Sequence, residues 1–314
     1  RGAKDVVEEL GIGQAQVRAC VLAYGIWLCM MCHITLSSLM NGAATDHFRV
    51  GEMQAAMQTG IIFGGLAVGA SVGGLLADEI GRRPVILASY ALACVVQVMS
   101  SFSHASWMYI TLRLFLGIAL GLGIPVSVAL VSEFTPVVHR RLLQGLRHAI
   151  VAVGMIVGVM IACADSTSLL HLRWRRDLLL GAIPPLVLGL AASVCLEESP
   201  VFLSSMGSNQ AAKIVLNNMR RLNGHPDVDI DYKESPFRES SSQLETGVSA
   251  TPTQHPMSII FAPHIRWFTI TNCWVMVTTC IIQYGHLHAF PQIAPESHSH
   301  IPAGYQSLIQ AIVA

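Results

Sequence analysis

Long apolar stretches, each about as long as a bilayer is thick, constrain this chain more than any other feature of its sequence. A helix that crosses about 30 Å of hydrocarbon needs about 20 mostly apolar residues. The stretches that meet or nearly meet this requirement lie at residues 21–40, 57–77, 84–102, 107–131, 143–164, 178–196 and 266–288. Only 12% of the residues are charged, whereas soluble domains average about 25%. The sequence therefore predicts an all-α membrane protein.

The spans fall into two groups, six before a polar segment at residues 197–264 and the rest after it. Within this segment, 209–222 has the pattern of an amphipathic helix, and 234–256 is rich in Ser, Thr, Glu and Pro and is predicted to be disordered. A further apolar stretch at 305–314 resembles the first half of an eighth span. We predict four regions, which are a cytoplasmic N-terminal segment at 1–20, a six-helix bundle at 21–196, a cytoplasmic loop at 197–264 and the start of a second bundle at 265–314. This last region holds helix seven and part of helix eight, so we expect the chain to be a C-terminally truncated piece of a longer protein.

The placement of Lys and Arg predicts the orientation of these spans. With the N-terminus in the cytoplasm, inner segments hold 14 Lys and Arg residues and outer loops hold 4. Positively charged loops favour the cytoplasmic side. We therefore expect a multi-pass protein with a cytoplasmic N-terminus, in either the plasma membrane or a vesicle membrane. The outer cluster at 173–176, RWRR, is the exception to this pattern.

Several function classes lack support in the sequence. The formal net charge of zero provides no basic footprint for nucleic acid. The Cys29–Cys32 pair has no second pair to complete a zinc site and lies in an apolar stretch, so helix packing is the better interpretation. The histidines near residues 286–300 lack supporting carboxylates or thiolates. Without a nucleophile–base–acid set, we expect no catalytic residues, no metal site and no cofactor, and we do not predict an enzyme.

The segment GGLLADEIGRRP at 73–84 places charge between spans two and three. It predicts a tight cytoplasmic turn, in which Gly73 and Gly74 let a neighbouring helix approach closely. Gly81 permits the reversal, and Pro84 suits the first turn of the next helix. On physical grounds alone, the charges of this turn have the role of fixing the topology.

The same turn resembles the signature loop of the major facilitator superfamily of secondary transporters. The matching residues are Gly74, Asp78, Gly81, Arg82 and Arg83. Segments that resemble the superfamily's fourth helix and the element after it contain Arg113, Gly117, Gly121 and Gly123, followed by Glu133, Pro136 and Arg140. The segment EESPVFL resembles the element after helix six and contains Glu198, Ser199 and Pro200.

Two further segments resemble the organic-ion transporter and synaptic-vesicle-glycoprotein-2-like branch. The first is the segment before span one, with Gly11, Ile12, Gly13 and Gln16, and the second is IIQYGHLHAFPQI at 281–293. The sugar-porter branch shares the signature motifs but fits less well, because its polar Gln pair of helix five would fall near residues 147–148. Its polar helix-seven element is also absent.

The resemblance implies a helical bundle made of the N-terminal six-helix half and the start of the second half. It also implies secondary transport of a small organic solute, an organic ion or a similar metabolite, by alternating access, with protons as the candidate coupling ion. The charged residues around the inner turns would latch the two halves, and the alternative for them is local capping and topology. The runner-up function is a non-transporting membrane protein on the same scaffold, acting in binding or vesicle trafficking.

Polar residues inside the spans are candidates for solute binding or coupling, because ionisable groups in a membrane usually face the bundle interior. Arg113 lies about 9 Å into span four, and its alternative is an Arg that snorkels to the headgroups. His33 titrates near neutral pH when unperturbed, and a packing role is the alternative. Polar contacts between helices are the alternative for the remaining candidates, which are Gln97, Asn272, Gln283 and Tyr284.

Overall fold

The computed structural model describes residues 2–165, 173–225, 229–230, 232, 266–267, 270–271 and 274. Within these residues the secondary structure is helical. The α-helices are α1 (Ala3–Leu10), α2 (Gln14–Phe48), α3 (Glu52–Ile80), α4 (Arg82–Ser101), α5 (Ser106–Phe134), α6 (Arg140–Asp165), α7 (Trp174–Gly181), α8 (Ile183–Cys195), α9 (Pro200–Ser205) and α10 (Asn209–Asn223). A short 3-10 helix, Val137–His139, joins α5 to α6.

Six helical segments of the described part are long and apolar enough to cross a membrane. They are Gln14–Phe48, Met53–Ile80, Arg82–Ser101, Ser106–Phe134, Val137–Ala164 and Trp174–Cys195. The all-α fold class is confirmed. Most of these segments run beyond the predicted spans, because hydropathy detects only the part of a helix that lies in hydrocarbon. The predicted eighth span and the predicted disordered segment lie outside the described residues, as does most of the predicted seventh span.

The sixth span consists of two helices, α7 and α8, where the sequence predicted one continuous stretch. Ala182 interrupts it, and its amide donates to the Leu179 carbonyl at 3.1 Å, three residues back. Pro184 and Pro185 follow in the first turn of α8. Proline has no amide hydrogen to donate to the preceding turn, so the regular hydrogen-bond ladder breaks at this point.

Helices α3 and α5 approach each other closely along a row of glycines. A Cβ atom added to Gly69 would lie 3.0 Å from the Cα of Gly121, and one added to Gly117 would lie 3.0 Å from the Cα of Gly65. Small residues permit this backbone contact, which supplies the van der Waals packing that holds helices together in lipid. Larger side chains at these four positions would separate the helices.

The N-terminal segment packs against α10 at one end of the bundle. Asn223, at the end of α10, accepts a hydrogen bond from the Ala15 amide at 3.1 Å and donates to Gln16 Oε1 at 2.9 Å. A side chain on Gly13 would overlap Asn223. The glycine and glutamine of the motif before span one therefore dock this segment, and α10 occupies the position of the predicted amphipathic helix.

Candidate functional site

The sequence-predicted site residues lie mainly in two groups. The turn cluster lies at the α3–α4 turn and is made of Asp78, Arg82, Arg83, Glu133 and Glu198. The buried cluster lies between α2 and α5 and is made of His33, Ser37, Tyr109 and Arg113.

The α3–α4 turn depends on a glycine. Gly81 has a φ of 103°, a conformation that side chains other than glycine rarely adopt, and a Cβ there would also overlap the Glu198 carboxylate. Gly73 packs as predicted, because an added Cβ would lie 2.8 Å from the Cα of Leu122 on α5. Gly74 differs from the prediction, since a Cβ there would meet no atom of the described residues within 4 Å.

Arg82 is the centre of the turn cluster. Its Nη2 lies 3.1 Å from Glu133 Oε1 on α5 and 3.2 Å from Asp78 Oδ1 on α3. Its Nη1 donates to the Ala77 carbonyl at 2.9 Å, and its guanidinium lies 4.5 Å from the ring centroid of Phe202 on α9. The Arg82 side chain is 13% exposed and that of Glu133 20%, whereas Asp78 is 75% exposed. Arg82 therefore links four helices, and Glu133 is its better shielded partner.

Glu198 caps the start of α4. Its carboxylate accepts the amides of Arg82 at 3.0 Å and Arg83 at 3.1 Å, and it also accepts the Ser199 amide at 2.9 Å. Carboxylates at this position satisfy free amides and complement the helix dipole. Burial raises the pKa of Glu198 above 4.5, while the hydrogen bonds from these amides oppose the rise. Ser199 Oγ caps α9 by accepting the amide of Phe202 at 3.1 Å.

The remaining residues of the predicted latch have other contacts. Arg83 Nη2 donates to the Ser193 carbonyl on α8 at 2.8 Å. Arg140 Nε donates to the Thr135 carbonyl at 3.3 Å, and within the described residues Arg140 joins no ion pair. Two prolines start short helices, Pro136 before the 3-10 helix and Pro200 at the start of α9.

Arg113 is fully buried on α5 and has hydroxyl partners. Its Nη1 donates to Ser37 Oγ on α2 at 2.6 Å, its Nη2 donates to the Tyr109 hydroxyl, and its guanidinium lies 4.7 Å from the Tyr109 ring centroid. It forms no ion pair with the part of the chain that the structure describes. Neither partner was predicted from the sequence, although Tyr109 lies four residues before Arg113 and so shares its helix face.

His33 is fully buried on α2, and its tautomer follows from its contacts. Its Nδ1 lies 2.5 Å from the Cys29 carbonyl oxygen. A carbonyl only accepts hydrogen bonds, so Nδ1 carries the hydrogen and Nε2 has a free lone pair. Nε2 has no hydrogen-bond partner among the described residues. Ser37 Oγ donates to the backbone carbonyl of His33 at 2.6 Å. Through Ser37, the backbone of His33 is thus connected to Arg113.

The other polar candidates have different positions. Gln97 is fully buried on α4, and its amide group has no hydrogen-bond partner among the described residues. Asp177 is fully buried on α7, and the sequence analysis did not single it out. An acid beside an apolar stretch was the available signal. The candidates Asn272, Gln283 and Tyr284 lie outside the described residues.

Comparison with known proteins defines the class of this chain. The sequence profile of the family described as "Sugar (and other) transporter" matches residues 27–283, so the chain belongs to this family. Together with the six apolar helices, membership of this family makes the chain a multi-pass membrane protein of a transporter family.

Individual relatives support the same class. The chain is 26% identical over 284 residues to Synaptic vesicle 2-related protein of Bos taurus, covering 90% of this chain and 48% of that protein. It is 27% identical over 237 residues to Organic cation/carnitine transporter 7 of Arabidopsis thaliana, covering 76% of this chain and 45% of that protein. The chain therefore spans about half the length of the curated relatives it matches.

A solved structure confirms the predicted fold. The partially occluded inward-open conformation of the xylose transporter XylE from E. coli is similar with a TM-score of 0.66, at 15% identity, over 96% of this chain and 70% of that one. The described part of the chain thus has the same helical-bundle fold as this transporter.

Proposed function

We propose that this chain contributes the first six-helix bundle of a secondary active transporter, which moves a small organic solute by alternating access. The observation that carries the proposal is the turn cluster, in which Arg82 and Glu198 connect α3, α4, α5 and α9 at one end of the bundle. Family membership supports transport as the general activity.

In this proposal the turn cluster is a latch on the cytoplasmic side, the side that the Lys and Arg placement predicts. Arg82 divides its hydrogen bonds between two carboxylates and a carbonyl, so individual bonds can exchange without leaving the guanidinium bare. Contacts that differ between two states shift their equilibrium by the difference in free energy. Asp78 and Arg140 supply further charge at the same turns for pairing with the other half of the transporter.

The buried cluster is the proposed site of solute recognition and coupling. Arg113 forms no ion pair with a carboxylate of the described residues, and its positive charge suits an organic anion. The backbone carbonyl of His33 accepts from Ser37, and its ring has a free proton acceptor at Nε2. We propose that His33 takes up the coupling proton, and that Gln97, Asn272, Gln283 and Tyr284 line the solute path.

Uptake by the full-length protein in proteoliposomes tests this proposal. The solutes are radiolabelled carnitine, tetraethylammonium, an aromatic carboxylate and xylose, each measured with and without an inward proton gradient. We expect at least one solute to accumulate only with the gradient, and we expect His33→Gln to abolish accumulation but retain solute exchange. His148→Gln is the matched control, because His148 contacts the carbonyl four residues back in the same way but is exposed.

Two results would contradict the proposal. Binding without uptake of any solute would favour the non-transporting function. Gradient-driven accumulation that survives His33→Gln would remove His33 from the coupling step and leave transport itself intact.

A further inference from the structure

A groove on the outside of the bundle, between α4 and α8, is separate from both clusters in its lining. Its volume is about 270 Å³, and its lining is almost entirely apolar. The walls are formed mainly by Leu87, Ala91 and Cys94 on α4 and by Leu186, Gly189 and Leu190 on α8. Small residues create its depth, since a Cβ on Gly189 would already lie 3.0 Å from the Cβ of Tyr90. Pockets for small ligands range from about 300 to 1,000 Å³, so the groove suits a slender apolar segment.

A cation stands at one end of this groove. Arg83, Leu87 and Ala91 follow each other at four-residue intervals and therefore share one face of α4. The Arg83 guanidinium donates to the carbonyl of Ser193, which itself lines the groove. Its Nε is buried and has no hydrogen-bond partner among the described residues, so an outside group would meet the guanidinium at its Nη atoms.

The neighbouring carboxylates leave the Arg83 guanidinium without an ion pair. Glu197 lies 3.5 Å from Arg18 and accepts from Asn218 at 3.2 Å. Glu198 contacts Arg83 at its backbone amide and not at its guanidinium. Glu197 attracts the Arg83 charge from a distance, but no carboxylate of the described residues lies within ion-pair distance of the guanidinium. The guanidinium can therefore accept an outside anion as its ion-pair partner.

The distance from Arg83 to the far end of the groove matches one leaflet of a bilayer. Cys94 lies eleven residues after Arg83, which corresponds to about 16 Å along a helix. The hydrocarbon core is about 30 Å thick, so the groove runs from the charged end to about the bilayer centre.

We propose that this groove binds one anionic glycerophospholipid, with an acyl chain between α4 and α8 and the phosphate on Arg83. The apolar walls exclude water from the chain, and the guanidinium donates to the phosphate oxygens. Basic residues at a membrane surface attract anionic lipids, and the groove adds a defined position for one of them. The proposal does not depend on transport activity.

Photolabelling in nanodiscs tests this site. The probes are phosphatidylglycerol and phosphatidylcholine that carry the same photoactivatable acyl chain, and the labelled peptides are mapped by mass spectrometry. We expect phosphatidylglycerol to label residues 87–94 and 186–193 roughly fivefold more than phosphatidylcholine does, since one basic residue contributes about 1 kcal/mol of attraction to anionic lipid. This comparison uses the unmodified chain, so it does not depend on the folding of any variant.

Three variants distinguish the contribution of the lipid headgroup from that of the acyl chain. Arg83→Gln should reduce labelling by phosphatidylglycerol to the level of phosphatidylcholine, and Arg83→Lys should retain the preference. Ala91→Phe fills the groove and should abolish labelling by both lipids. Leu92→Phe is its control, because Leu92 is exposed on the next position of α4 and does not line the groove.

Several outcomes would overturn the proposal. Equal labelling by the two lipids in the unmodified chain would remove the phosphate contact. Full competition by cholesterol would assign the groove to a sterol. Protein–protein cross-links at these peptides in place of lipid labelling would assign it to a second copy of the chain.

Discussion

Arg82 and Arg113 are both held at several atoms, yet their surroundings differ in kind. Arg82 lies at a helix turn, is 13% exposed and contacts two carboxylates. Arg113 is fully buried and contacts two hydroxyls and an aromatic ring. Carboxylates neutralise a guanidinium, whereas hydroxyls satisfy its hydrogen bonds and leave its charge in place.

This difference indicates that Arg82 has a role in stability and Arg113 a role in function. The contacts of Arg82 stabilise the fold at the end of the bundle, because each carboxylate gains a donor there. The charge of Arg113 is desolvated and forms no ion pair within the described residues, which is unfavourable for stability. A residue of this kind is expected to be retained for function, and the following predictions test this contrast.

Arg113→Met should have the largest effect on transport and little effect on stability. Uptake by the full-length protein should fall at least roughly tenfold, because the substitution removes the charge proposed to bind the solute, and a hydrogen bond from a charged donor is worth about 1.5–3 kcal/mol. The thermal unfolding temperature in detergent should stay the same or rise, because the buried charge is gone. Arg141→Met, at an exposed position on α6, is the control and should leave uptake unchanged. A large drop in unfolding temperature for Arg113→Met would contradict the contrast.

Arg82→Met should destabilise the bundle by about 1–3 kcal/mol, because it leaves the shielded Glu133 carboxylate without its donor. Unfolding in mixed detergent micelles measures this change. Adding Glu133→Gln to Arg82→Met should recover part of the loss, since the double variant no longer contains the unpaired charge. If Arg82→Met and the double variant were equally stable, the unpaired Glu133 carboxylate would carry no penalty, and this explanation of the loss would be wrong.

Tyr109→Phe and Ser37→Ala should each reduce stability by about 1.5–3 kcal/mol, the usual range for a hydrogen bond to a charged group. Arg113 keeps one hydroxyl partner in each single variant, so the double variant should lose more than the sum of the two. Thr111→Val is the control, because Thr111 is exposed and bonds only within its own helix. The same unfolding assay measures all four variants, and strict additivity would show that the two hydroxyls act independently.

The smallest predicted effect is a pH dependence at Glu198. Burial raises the pKa of its carboxyl in the folded chain above the ordinary value of 4.5, so the folded state binds this proton more readily than the unfolded state. Lowering the pH from 7 towards 4.5 should therefore raise the unfolding temperature of the wild-type chain relative to Glu198→Gln. Subtracting the unfolding temperature of Glu198→Gln from that of the wild type at each pH isolates the contribution of this group. If the wild-type value fell relative to that of Glu198→Gln on acidification, the pKa shift would have the opposite sign.

Hydropathy located the six spans of the described part, because lipid requires an apolar stretch of defined length whatever its neighbours are. The motif residues of the α3–α4 turn were also recognisable, since their spacing along the chain is local. The break in the sixth span has a local signal as well, the adjacent Pro184 and Pro185. Hydropathy does not register this signal, because both helices of the span are apolar.

Partners on different helices had no such local signal. Arg82 and Glu133 are 51 residues apart, and Arg82 and Glu198 are 116 apart. The sequence spacing alone therefore does not tell that Arg82 reaches these carboxylates, whereas Arg140 bonds the Thr135 carbonyl of its own turn. Likewise, nothing in the order of residues connects Ser37 to Arg113, which lie on different helices.

Membrane topology thus follows from composition along the chain, because each span meets the hydrocarbon separately. The environment of each arginine depends on which helices come into contact, and the glycine rows of α3 and α5 show how close such contact is. Whether a buried cation meets a carboxylate or a hydroxyl is therefore settled by helix packing.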